Sequence, residues 1–137
     1  MKKAGGIGVV CNDLILLGRR VEKLKGKPIP LGGYWSIFGG SCGDKENPMI
    51  CAIRELYEET QIDVEFHNIM YSRSIINEDN IFNVYFTELD TKPDVTLNEE
   101  HTEYGWFSID ELHRFPYDID DRLVVIIQEY KKNRYTL

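Results

Sequence analysis

The 137-residue sequence predicts a single α/β domain spanning 1–137, in which strands surround one central acidic helix and a second helix closes the chain. Three observations carry that prediction. Two apolar runs, 4–11 "AGGIGVVC" and 14–19 "LILLGR", are separated only by Asn12-Asp13, the pattern of a hairpin. Segment 48–60 switches to helical spacing, with Met49, Ala52, Ile53, Leu56 and Tyr57 on one side expected to face the core. Residues 120–133, "DDRLVVIIQEYKKN", repeat an amphipathic helical pattern near the end.

After the hairpin, 21–33 "VEKLKGKPIPLGG" is rich in Lys, Pro and Gly and reads as a loop. "YWSIF" (34–38) is a short strand running into Gly39-Gly40. Asn47 is placed to cap the next helix and Pro48 suits its first position, so the helix should run to about Thr60. Residues 62–75 and 80–89 are strand-like, and 91–103 is a polar loop. A further strand (104–109) and a helical turn at "DELHRF" precede the closing helix, where Asp118, Asp120 and Asp121 suit the helix dipole. Trp35 and Trp106 are expected in the core, and nothing repeats.

A net charge of −7 argues against a broad footprint on a nucleic-acid backbone, so extended nucleic acid is an unlikely partner. No apolar run approaches the roughly 20 residues of a membrane span, and the N-terminal "MKKAGGIGVV" is too brief for the apolar core of a signal peptide. The three cysteines, Cys11, Cys42 and Cys51, show no zinc-like spacing and are expected to be reduced thiols in a cytoplasmic protein.

The acidic helix is the chemical signal. At 100° per residue, Glu55, Glu58 and Glu59 share an arc of roughly 100°, and Glu46 lies just before the helix. Arg54 is one turn from Glu58 and can fix its rotamer, but one arginine does not neutralise three carboxylates. A plain solvated face would account for this. So would a hard divalent cation such as Mg²⁺, which takes oxygen ligands and often shares them with substrate phosphates.

The spacing resembles the Nudix box, the signature of the Nudix hydrolases. Gly40 is followed by five residues and Glu46; seven more lead to Arg54-Glu55-Leu56-Tyr57-Glu58-Glu59-Thr60, then Gln61 and Ile62. Gln61 stands where the family has the glycine that ends the helix in a left-handed turn, and Phe38 replaces a proline common before the paired glycines. "NEEHTEYGWFSIDEL" (98–112) is similar to the family's segment ahead of its last strand.

This resemblance implies an α/β/α sandwich with a mixed sheet. It also implies a Mg²⁺-dependent pyrophosphohydrolase, with Mn²⁺ a possible substitute, cleaving a nucleoside diphosphate linked to another group X. Dinucleoside polyphosphates, ADP-ribose or other nucleotide sugars, and nucleoside triphosphates all occur as family substrates. The resemblance implies metal ligation by Glu55, Glu58 and Glu59, with the Gly39 carbonyl and Glu46 as further candidates. Arg54 would orient the glutamates. Glu55, Glu58 and Glu100 are the carboxylates nearest the chemistry, with Glu103 and Glu99 as alternatives to Glu100. Arg19 and Arg20 are candidates for the substrate's phosphates, Tyr34 for stacking on a base, and Lys23, Lys25 and Lys27 for steering. His67, His101 and His113 receive no role. A homodimer is possible within the family. A non-catalytic Nudix-like module that senses a nucleotide or a protein is the other reading of the same box.

Overall fold

The computed structural model describes residues 1–134; the expected domain 1–137 also takes in 135–137, which lie outside the described residues. Strand β1 (Lys2–Cys11) is its axis, buried along nearly its whole length. Asn12 adopts a left-handed conformation (φ 54°) in the turn to β2 (Leu14–Arg20), as the expected hairpin requires. The two strands pair only at Val10–Ile15 and Cys11–Leu14. Beyond that they diverge, and a later segment fills the gap: β5 (Trp35–Ser36) pairs with β2 and β6 (Phe38–Ser41) pairs with β1. The loop between holds a small ribbon, β3 (Lys23–Leu24) with β4 (Lys27–Pro28).

The other edge of β1 pairs in parallel with β8 (Asn80–Glu88) over nine residue pairs, from Lys2–Asn80 to Val10–Glu88. Strand β7 (Ile69–Ile76) runs antiparallel outside β8, and β9 (His101–Ser108) antiparallel outside β2, completing a mixed seven-stranded sheet. Alternation along the strands divides the core. Ile7, Val9, Leu16, Phe38 and Tyr85 face helix α1 (Pro48–Thr60) through Ala52 and Leu56. Val10, Ile15, Leu17, Val84 and Phe86 face helix α2 (Asp121–Arg134) through Leu123, Ile126 and Ile127. The architecture is thus the expected α/β/α sandwich.

Several expectations are corrected. The segment 62–75 is not strand throughout: Phe66–Asn68 forms a 3₁₀ turn, and pairing with β8 starts only at Ile69. Tyr57 does not face the core; it is 52% exposed, because the sheet contact of α1 is narrow and is filled by Ala52 and Leu56. Cys42 and Cys51 are not free thiols: they form a disulfide, since the loop after β6 folds back over the first turn of α1 and brings their Cα atoms to 5.3 Å. Cys11 is free and buried. Trp35 is in the core, whereas Trp106 is only partly buried, with the Lys92 ammonium 5.9 Å from its ring centre.

Candidate metal centre and active site

Local rules position α1. The Asn47 Oδ1 accepts the Met49 amide at 2.8 Å and the Ile50 amide at 3.4 Å, a cap worth about 1 kcal/mol, and Pro48 follows at the first helical position. Glycines let this helix lie directly on the sheet. A Cβ on Gly5 would stand 2.6 Å from the Pro48 carbonyl oxygen, and one on Gly40 would stand 2.6 Å from the Glu55 carboxylate. The helix ends at Gln61, in a left-handed conformation (φ 63°, ψ 16°), with its amide donating to the Tyr57 carbonyl at 2.8 Å. Glutamine therefore occupies the very turn for which glycine is suited.

Arg54 is the hub of the acidic segment. Its Nε and Nη2 donate to the two oxygens of Glu46 at 2.8 and 2.9 Å. Its Nη1 reaches Glu58 at 3.0 Å and Glu55 at 3.2 Å, and Nη2 also donates to the Ser41 carbonyl at 3.3 Å. A guanidinium supplies this fork; an ammonium does not. The Arg54 hydrogen bonds, with help from the Gly43 amide, lower the Glu46 pKa to about 2. Glu46 thus serves as the clamp on Arg54.

The remaining carboxylates divide by environment. Glu58 is half exposed and held by Arg54. Glu59 is buried at 1% exposure, and neither of its oxygens has a hydrogen-bond partner among the described residues. Burial, with Glu100 close by, pushes its pKa up to about 10, although the nearby Gly39 amide opposes the shift. Burial likewise raises Glu55. Ligand atoms of Glu55, Glu59 and Glu100 lie within 4.8 Å of one another. Glu100 arrives from outside the box, at the entry to β9; its amide donates to the Asn98 side chain at 3.0 Å and its carbonyl accepts the Val21 amide at 2.9 Å. Of the alternatives, Glu103 pairs instead with Arg19 at 3.5 Å, and Glu99 is exposed.

A buried carboxylate with no partner is costly. Three hard oxygen donors converging from two elements, backed by an arginine that already holds their neighbours, suit a small divalent cation. The structure brings Glu55 and Glu59 together as the sequence suggested. It leaves Glu58 and Glu46 on Arg54, and it places Gly39 within β6, opposite Gly6.

Beside the box, where β5 and β6 wedge apart the first hairpin, lies a cleft of about 220 Å³. Arg20 and Tyr34 line it, with Gly39 and Gly40 at its wall. Arg19, its side chain on the opposite face of β2, does not; it lines a separate hollow with Glu103 and Tyr117. Among the contributors to the cleft that sequence reasoning missed are His101, Asn77 and Asp120. Asp120 accepts from the Arg122 side chain at 2.9 Å, and Arg122 also donates to Asn77 at 2.9 Å. Their places follow from loops whose paths one sequence does not encode. Only the adjacency of His101 to Glu100 was there to be noticed.

The α/β/α sandwich thus gathers two carboxylates of α1 and Glu100 at one point, beside a cleft. The model of the NUDIX domain matches residues 1–126, and the chain belongs to the Nudix hydrolase family. The fold is similar to that of the MutT protein from Methanosarcina mazei Go1, with TM-score 0.78 and 19% identity over 98% of this chain and 96% of that one. It is also similar to a C. elegans Ap4A hydrolase in a binary complex, with TM-score 0.75 and 15% identity over 100% of both chains. A MutT/nudix family protein from Enterococcus faecalis matches with TM-score 0.67 and 19% identity over 78% of this chain, which spans only 43% of that protein. A search of curated proteins finds no match.

Proposed function

We propose that this family member is a Mg²⁺-dependent pyrophosphohydrolase, with Mn²⁺ as a substitute, that cleaves the diphosphate linkage of a small nucleoside diphosphate derivative. The carrying observation is the Glu59 carboxylate, buried with neither oxygen hydrogen-bonded among the described residues and grouped with Glu55 and Glu100. Glu55, Glu59 and Glu100 would hold the cation, which supplies charge screening at phosphorus and a more acidic bound water. Glu58 and Glu100 are carboxylates available to take the proton of the attacking water. Arg54 and Glu46 hold Glu55 and Glu58 in place, so these groups are already oriented when substrate arrives. Arg20, lining the cleft next to Gly39 and Gly40, is placed for the phosphate chain, and Tyr34 offers an aromatic face.

The test is phosphate release from a panel of nucleoside triphosphates, dinucleoside polyphosphates and nucleotide sugars, with and without Mg²⁺. At least one compound should be hydrolysed only with metal. Glu58→Gln and Glu59→Gln should remain folded and lose about a hundredfold or more in turnover. Full turnover by both variants would refute the assignment.

A further inference from the structure

His101 is a histidine with no structural reason to be polar. It is 8% exposed, packs its ring against Phe38 at 4.7 Å between centres, and leaves Nδ1 buried without a partner among the described residues. A leucine there would pack without that orphaned nitrogen, whose burial without a partner is unfavourable. Gly18 makes room for the pair of rings: a Cβ on that glycine would run into the Phe38 ring and stand 3.0 Å from the His101 Cδ2. The ring also lines the cleft, directly across the β2–β9 ladder from Arg20, the one Lys or Arg lining it among the described residues.

The charges around the cleft are not equally compensated. Asp120 is paired with Arg122, which also donates to Asn77, whereas Arg20 has no acidic partner among the described residues and donates Nε–H to the Pro30 carbonyl at 2.9 Å. Arg20 and His101 are cross-strand partners that line the cleft with Gly39 and Gly40, and Gly40 lies against the Glu55 carboxylate. A chain of phosphates lying in the cleft has a guanidinium and an imidazole among its neighbours. Nδ1 is buried, so the nitrogen available to a ligand is Nε2, and an imidazole N–H is a donor to a phosphate oxygen.

We propose that His101 is a substrate-positioning residue, donating a hydrogen bond to the substrate's phosphate chain alongside Arg20. The proposal rests on the pyrophosphohydrolase reading above. It is tested with His101→Leu, which fills the ring's volume without nitrogen, and His101→Gln, which restores an N–H. The probes are methylenediphosphonate and a methylene-bridged nucleotide analogue, both with Mg²⁺, titrated calorimetrically against each variant; the substrate from the nucleotide panel gives KM and kcat.

Expected for His101→Leu is about tenfold weaker binding of both probes and a similar rise in KM. The same variant should change kcat little and show an equal or higher melting temperature, because the orphaned nitrogen is gone. His101→Gln should recover most of the affinity. Unchanged binding and KM in His101→Leu overturn the proposal, as does weaker binding that tracks a fall in melting temperature. Loss confined to the nucleotide analogue overturns the phosphate assignment. A wild-type protein that hydrolyses nothing and binds neither probe would instead sink the pyrophosphohydrolase reading itself, and this inference with it.

Discussion

Replacing Gln61 by glycine should stabilise the protein. Gln61 ends α1 with φ 63° and ψ 16°, a region that costs a residue bearing Cβ about 1–2 kcal/mol, and its side chain is exposed. Glycine removes that cost but loses about 0.5–1 kcal/mol more chain entropy on folding. The capping bond from the Gln61 amide to the Tyr57 carbonyl, 2.8 Å, belongs to the backbone and survives the change. The balance is a gain of about 0.5–1 kcal/mol, or a rise in melting temperature of about 2–5 °C for a chain of this size. Urea titration and differential scanning calorimetry of Gln61→Gly against wild type read it directly, with an unchanged m-value showing that the surface exposed on unfolding is the same. A midpoint equal to or below that of wild type would refute the claim that this turn is strained.

Two further outcomes concern the carboxylates. The raised Glu59 pKa means the metal-free fold takes up a proton that the unfolded chain releases above about 4.5, so stability should fall as pH rises from there toward about 10. Between pH 6 and 8 this group alone sets a loss of up to about 1.4 kcal/mol per pH unit; urea titrations in EDTA should show that slope in wild type and its removal in Glu59→Gln. Parallel pH profiles for the two proteins would contradict the buried-carboxylate account. Arg54→Lys keeps the charge but breaks the fork to Glu46 and the reach to Glu55 and Glu58, and should cost about 10–100-fold in Mg²⁺ affinity by calorimetry.

Much of this molecule was legible in its sequence, and the reasons are local. Asn47-Pro48 announces the start of α1 because capping and a fixed φ act within one turn. The first hairpin is legible because Asn12-Asp13 interrupts two apolar runs. The box spacing identifies Glu55 and Glu59, since helical periodicity puts them a turn apart. What stayed hidden depends on where distant segments meet. Glu58 shares the arc of its neighbours, yet Arg54 holds it outward while Glu59 turns beneath, a difference of burial that spacing does not contain. The Cys42–Cys51 bridge requires knowing that the loop after β6 doubles back. His101 and Asn77 come to one cleft only because β5 and β6 prise β1 from β2.

The parallel pairing of β1 with β8 governs when the carboxylate group can exist. Every pair in that ladder joins residues 78 positions apart, as Lys2–Asn80 shows (80 − 2), and α1 lies within the closed loop. Such long-range closure is slow compared with helix formation. Glu100, further along, is delivered only by a strand that docks on β2. A nascent chain stopped before residue 100 can have a helix and a hairpin, but not the convergence of side chains that suits a cation. On the proposed reading, metal affinity would therefore be acquired late in folding, and it would report arrival of the native topology more faithfully than any gain in helicity.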